Sequence, residues 1–128
     1  MLYADSSALV KLVLEEPEAT ALRSYLSGGG PVVTSLIAAT ELVRAVRRID
    51  PDLEAAANAV IDALTLADLE VGILTAAGTL APPQMRTLDA IHVATALALG
   101  TELDAVVTYD ARMAEAARAA GLRVEAPA

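Results

Sequence analysis

Three short apolar runs, Leu2-Tyr3-Ala4, Val32-Val33-Thr34 and Ala105-Val106-Val107, each give way within a few residues to a polar side chain and then to a longer stretch rich in Ala and Leu. Runs this short suit strands buried on both faces, and the stretches that follow have helical length and period. Repeated alternation of the two implies a parallel sheet covered by helices on both sides. The fold class expected is therefore α/β, a three-layer α/β/α sandwich with a central parallel sheet. In such sheets, sites form beyond the carboxyl ends of the strands, near the point where strand order reverses.

The punctuation along the chain supports this reading. A strand over 2–5 leads to a helix over about 6–15, with Ser6 or Ser7 near its cap. Pro17 suits the first turn of a helix to about Ser27, and Gly28-Gly29-Gly30-Pro31 is a loop. Val32–Thr34 is a strand, and Ser35 caps a helix to about Ile49. Asp50-Pro51 restarts a helix to about Leu64. A strand is expected near Leu69–Val71, then a helix over 72–80 that Ala81-Pro82-Pro83 breaks. Thr87 caps a helix ended by Gly100, and Ala105–Thr108 is a strand. A helix over 111–120 and a strand over 122–125 complete the chain. No repeat or second domain is visible, so residues 1–128 read as a single domain.

Composition narrows the chemistry. There is no cysteine, which excludes thiolate catalysis, zinc-thiolate sites and disulfides, and fits a reducing cytoplasm. No apolar stretch reaches about 18 residues, and Asp5 and Lys11 interrupt any leader-like segment, so neither a membrane span nor a signal peptide is expected. Aromatics make up only 2% of the chain and the net charge is −8. Both argue against non-specific nucleic-acid binding through stacking platforms or a basic surface. They favour a basic partner, or a site whose acids are neutralised by metal.

Four acids stand where a structural residue would more often be neutral. Asp5 closes the first apolar run, Glu41 interrupts Leu36-Ile37-Ala38-Ala39-Thr40, Asp89 precedes the apolar stretch 90–99, and Asp110 ends 105–109. Each has an ordinary explanation. Asp5 and Asp110 could cap the helices that follow them, and Asp89 could answer the dipole of its own helix. Glu41 shares a helix face with Ile37, Arg44 and Arg48, opposite a greasier face of Leu36, Ala39, Thr40, Val43 and Val46. An exposed Glu41–Arg44 pair would contribute only ~0.3 kcal/mol. However, Asp5 and Asp110 both fall at the carboxyl ends of expected strands. Converging carboxylates need a cation to hold them, and an all-oxygen set suits Mg²⁺ or Mn²⁺. His92, three residues after Asp89, could share in such a site but reads better as a packed or supporting residue. Asp104 begins its strand and should lie at the opposite end of the sheet.

Other carboxylate chemistries fit less well. A haloacid-dehalogenase-type phosphatase wants a second Asp where Ser7 stands, and a response-regulator receiver wants an acidic pair and a lysine that are missing. The glycine loop lacks the Gly-Lys-Ser/Thr ending of a phosphate-binding P-loop, and His92 has no nucleophile elbow.

The segments Tyr3-Ala4-Asp5-Ser6-Ser7-Ala8-Leu9, Ala39-Thr40-Glu41-Leu42-Val43-Arg44-Ala45, Thr87-Leu88-Asp89-Ala90-Ile91-His92-Val93-Ala94-Thr95-Ala96 and Val107-Thr108-Tyr109-Asp110-Ala111-Arg112-Met113 follow one another in a telling order. Together they resemble a PIN domain, specifically the short VapC-type toxin of a bacterial toxin–antitoxin pair. The resemblance spans almost the whole chain and implies a PIN-like parallel sheet. It also implies that Asp5, Glu41, Asp89 and Asp110 surround Mg²⁺ or Mn²⁺, with the hydroxyls of Ser6 and Thr108 lining the site. The implied reaction is endonucleolytic RNA cleavage, leaving 5′-phosphate and 3′-hydroxyl ends. The implied partners are a cognate antitoxin that lays a basic side chain among the acids, and a second copy of the chain.

An acidic protein acting on RNA needs local positive charge. Arg44, Arg48 and Arg86, with Lys11 and Arg112, are the candidates for substrate contact. Two further readings compete with the nuclease: a non-catalytic PIN-like module binding RNA or protein, and a small phosphatase-like hydrolase using Asp5 as nucleophile.

Overall fold

Alternation along the first strand splits the core of the computed structural model, which describes all 128 residues. In β1 (Leu2–Ala4), Leu2 and Ala4 face one side of the sheet and Tyr3 the other. The chain continues through α1 (Ser6–Leu14), α2 (Ala19–Gly28), β2 (Val32–Ser35), α3 (Leu36–Ile49), α4 (Glu54–Asp62), β3 (Thr65–Ala67) and α5 (Val71–Gly78). It closes with α6 (Thr87–Ala98), β4 (Ala105–Val107), α7 (Ala111–Ala119) and β5 (Val124–Glu125). All strand pairs are parallel, in the order β3-β2-β1-β4-β5. The expected three-layer α/β/α architecture is present.

On one face Leu2, Ala4, Ala105 and Val107 pack with Leu9 of α1, Leu22 of α2, Leu42 and Val46 of α3 and Ala57 of α4. On the other, Tyr3 and Val106 meet Val93 and Ala96 of α6 and Met113, Ala116 and Ala117 of α7. Ala77 of α5 joins Ala90, Ile91 and Ala94 of α6 in a third cluster against which Ile37 packs. With few aromatics, close approach of small side chains replaces bulk: Gly29 admits the Leu2 side chain where any Cβ would collide with it. No helix is long and apolar enough to cross a membrane.

The structure corrects five local expectations. The third strand is Thr65–Ala67, pairing Val33 with Thr65 and Ser35 with Ala67, whereas Leu69–Val71 leads into α5. A three-residue edge strand with Thr65 and Leu66 exposed buries too little to leave an apolar signature. Residues 51–53 form a 3₁₀ turn before α4, with Asp50 capping it as expected. Thr87 is the first residue of α6, not its cap, and the first helix is capped by Asp5 itself. In α3 the buried row is Ala38, Leu42 and Val46, while Leu36 and Thr40 face solvent. Apolar side chains spread over more than half the circumference of that helix, so periodicity alone did not fix its rotation.

Candidate active site

Strand order reverses between β1 and β4, the two strands followed directly by Asp5 and, past Thr108 and Tyr109, by Asp110. Their carboxyl ends are stitched together by side chains. The buried Asp5 accepts the Ser7 hydroxyl at Oδ1 (2.6 Å) and the Thr108 hydroxyl at Oδ2 (2.6 Å), while its Oδ1 also caps α1 through the Ala8 N–H (3.2 Å). Ser7 Oγ accepts the Tyr109 N–H (2.9 Å), and Thr108 Oγ1 accepts the Asp110 N–H (3.1 Å). Asp110 Oδ1 caps α7 through the N–H groups of Arg112 (2.8 Å) and Met113 (3.3 Å). The capping reading of both acids is therefore true, and it does not compete with a functional one. A cap at the carboxyl end of a strand is also where a site forms.

Burial pushes the Asp5 carboxyl above its ordinary range, against the hydroxyls of Ser7 and Thr108 that stabilise its charge. Asp89, in the first turn of α6, is also raised, first by burial and then by the charge of Asp110, with Asp5 adding to it. His92 and Arg86 act in the opposite direction. Asp5, Asp89 and Asp110 thus share one electrostatic field although they come from three parts of the chain.

Glu41 reaches the same region from α3. Its Oε1 lies 2.7 Å from Nε2 of the buried His92, whose Nδ1 lies 2.6 Å from the Tyr3 hydroxyl. Burial raises the Tyr3 phenol well above its usual range, so the hydroxyl stays protonated. With that hydroxyl donating to Nδ1, Nε2 carries the ring proton and donates to Glu41. Glu41 does not pair with Arg44, which is exposed and free of any ion pair.

Two residues of this arrangement, Ser7 as a partner of Asp5 and Tyr3, escaped the sequence reading, whereas His92 is the packed, supporting residue expected. The hydroxyl on Asp5 belongs to Ser7, whereas Ser6 makes no hydrogen bond to the acids. Consecutive serines after a strand cannot be told apart until the helix phase is known. Tyr3 and His92 form a buried relay to Glu41, signalled in sequence only by one phenol in an apolar strand and one imidazole in an apolar helix. Asp104 lies at the far end of the sheet, paired at 2.5 Å with the N-terminal ammonium. Among the cations, Arg86 and Arg112 line a cleft with Asp89, whereas Lys11 is held by Glu16 and Glu18. Arg48 sits thirteen residues beyond the α3 cap, roughly 20 Å along the helix and away from the site.

A family model for the PIN domain matches residues 2–119. The chain belongs to the PIN-domain family. It is similar to three proteins of Mycobacterium tuberculosis. Ribonuclease VapC46 is 44% identical over 126 residues, covering 98% of this chain and 97% of that protein. Ribonuclease VapC47 is 38% identical, covering 99% and 97%, and ribonuclease VapC35 is 40% identical, covering 99% and 97%. The crystal structure of M. tuberculosis VapC20, a Sarcin-Ricin loop cleaving toxin, superposes with a TM-score of 0.78 at 16% identity, covering 99% of this chain and all of that one, which supports the fold.

The donor set of this PIN domain suits a hard divalent cation. It is all oxygen, and the raised Asp5 and Asp89 carboxyls are groups whose charge a cation would relieve. In their present positions no three of these side chains close around a single point. Asp5 is pinned by its hydrogen bonds, so the freedom to close lies with the more exposed Asp89 and Asp110.

Proposed function

We propose that this PIN domain, one unit across residues 1–128, is a divalent-metal-dependent endoribonuclease. It acts in the cytoplasm as the toxin of a toxin–antitoxin pair. The observation that carries the proposal is the shared field of Asp5, Asp89 and Asp110 at the reversal of strand order, with Glu41 brought in through His92. The ribonuclease names of relatives aligned over nearly their whole lengths support the substrate class.

In this reading Asp5, Asp89 and Asp110, with Glu41, hold Mg²⁺ or Mn²⁺. Such a cation supplies Lewis-acid polarisation of the scissile phosphate and offsets the charge that builds on it. The protein's own residues do the positioning. Ser7, Thr108 and the Ala8 N–H fix both oxygens of Asp5, so that carboxylate needs no reorganisation. His92 occupies Glu41 Oε1, so Oε2 is the oxygen with which Glu41 would help to hold the cation. Arg86 and Arg112 bind RNA phosphates flanking the cut. Arg44 contributes through its exposed charge on α3.

The cognate antitoxin inhibits by placing a basic side chain among the same acids, where a guanidinium answers the charge a cation would. Homodimerisation covers apolar side chains left exposed on one copy, of which Val71 on α5 is the most open at 81%. The proposal is tested by incubating end-labelled single-stranded RNA with the protein in Mg²⁺ or Mn²⁺. Cleavage that stops in EDTA and in Asp5→Asn is expected. Cleavage indifferent to both would remove the metal mechanism, and an intact protein that never cuts RNA favours the non-catalytic binding module.

A further inference from the structure

The cleft beside Asp89 has a shape and lining that phosphate contact alone does not account for. It encloses about 340 Å³ between the segment preceding α6 and the outer face of α7, and is lined by Gln84, Met85, Arg86, Asp89, Arg112 and Glu115 among others. That volume sits at the low end of the roughly 300–1,000 Å³ typical of small-ligand clefts. It is too small for a duplex or a partner helix.

Its two arginines are unpaired in a chain where acids outnumber cations 17 to 9. Lys11, Arg23, Arg47 and Arg123 all have carboxylate partners. Arg44, Arg48, Arg86, Arg112 and Arg118 have none, and of these only Arg86 and Arg112 line the cleft together, Arg86 close enough to Asp89 to lower its pKa and Arg112 one helical turn from Glu115. A guanidinium offers a flat face and forked donors, suited to stacking a base and holding its phosphate. No aromatic side chain lines the cleft, so stacking would fall to these planes and to Met85.

Resting on the ribonuclease reading, we infer that this cleft takes one extruded nucleotide next to the scissile phosphate, and that Glu115 and Gln84 read its base. An ionised carboxylate only accepts hydrogen bonds. Guanine offers it adjacent N1–H and N2 amino donors. Uracil offers a single N3–H flanked by two carbonyl oxygens that the carboxylate repels. Gln84 adds amide N–H donors, which suit the O6 and N7 acceptors on the remaining edge of guanine. The subsite therefore prefers guanine and disfavours uracil, so Glu115 and Gln84 set specificity while Arg86 and Arg112 set affinity.

The test uses short single-stranded oligoribonucleotides with one cut site, varied at the nucleotides flanking it. At one flanking position the full-length protein is expected to cleave the guanine substrate about tenfold or more faster than its uracil counterpart. Glu115→Gln brings that ratio close to one, and Gln84→Ala lowers it in part. Glu102→Gln, on the opposite end of the domain, keeps it. Affinities of the same oligonucleotides for the Asp5→Asn protein, by fluorescence anisotropy, make the comparison without cleavage. Cleavage and binding blind to the flanking base, or a ratio that survives both Glu115→Gln and Gln84→Ala, overturn the subsite and leave the nuclease reading standing. RNA that binds with the guanine preference but is never cut by the wild type supports the subsite and counts against the nuclease.

Discussion

Replacing Tyr3 by Phe removes one oxygen atom from the centre of this domain. Tyr3 has no exposed surface, and its ring meets the His92 imidazole edge-on with centroids 5.9 Å apart. Phenylalanine keeps that packing. What disappears is the 2.6 Å hydrogen bond to Nδ1 of a histidine that is itself only 3% exposed. Water has no ready access to the orphaned nitrogen, so the expected cost is the penalty for an unsatisfied buried group, about 1–3 kcal/mol. For a domain of this size that corresponds to a fall in Tm of roughly 4–12 °C. His92 keeps its bond to Glu41, so RNA cleavage should weaken by no more than the ~10–100-fold seen for outer partners of metal sites. Thermal and urea denaturation of both proteins, with circular dichroism as the probe, give the comparison. A Tm for Tyr3→Phe within about 1 °C of wild type refutes the relay as a structural element.

Two further outcomes follow from the site's electrostatics and hydrogen bonding. Burial raises the folded-state pKa of Asp5 above its unfolded value, so the folded chain binds more protons in that interval and stability falls as pH rises through it. In metal-free buffer Asp5→Asn should therefore be more stable than wild type at about pH 7.5, with the gap closing toward about pH 4; a gap that widens on acidification would falsify this assignment. Ser7→Ala removes the donor to Asp5 and the acceptor for the Tyr109 N–H, costing about 1–2 kcal/mol in urea denaturation, whereas Ser6→Ala should stay within about 0.5 kcal/mol of wild type. Equal effects of the two serines would contradict the placement of Ser7.

The parallel sheet was readable because its central strands bury both faces and so leave uninterrupted apolar runs at Leu2–Ala4 and Ala105–Val107. The edge strand Thr65–Ala67 left no such run, since an edge strand pays little attention to burial pattern. Asp5 and Asp110 could be placed at one end of the sheet from their positions after strands. Asp89 and Glu41 could not, because their approach depends on how α6 and α3 rotate against the sheet. The rotation of α3 was hidden by apolar side chains spread over more than half its circumference. The Tyr3–His92–Glu41 relay joins residues 89 and 51 positions apart, a separation that no local pattern encodes. The second serine and the cleft beside Asp89 were invisible for the same reason: both depend on tertiary contact between segments whose spacing in sequence is unconstrained.

If Asp5, Asp89 and Asp110, with Glu41, form a site for a divalent cation, the metal-free protein binds one. Titration of the metal-free protein with Mn²⁺, followed by the electron paramagnetic resonance signal of the free ion, tests it without any RNA. Saturable uptake is expected for the wild type and is largely lost in Asp5→Asn and in Asp89→Asn, each shown by circular dichroism to be folded. Uptake by both variants equal to that of the wild type would contradict it.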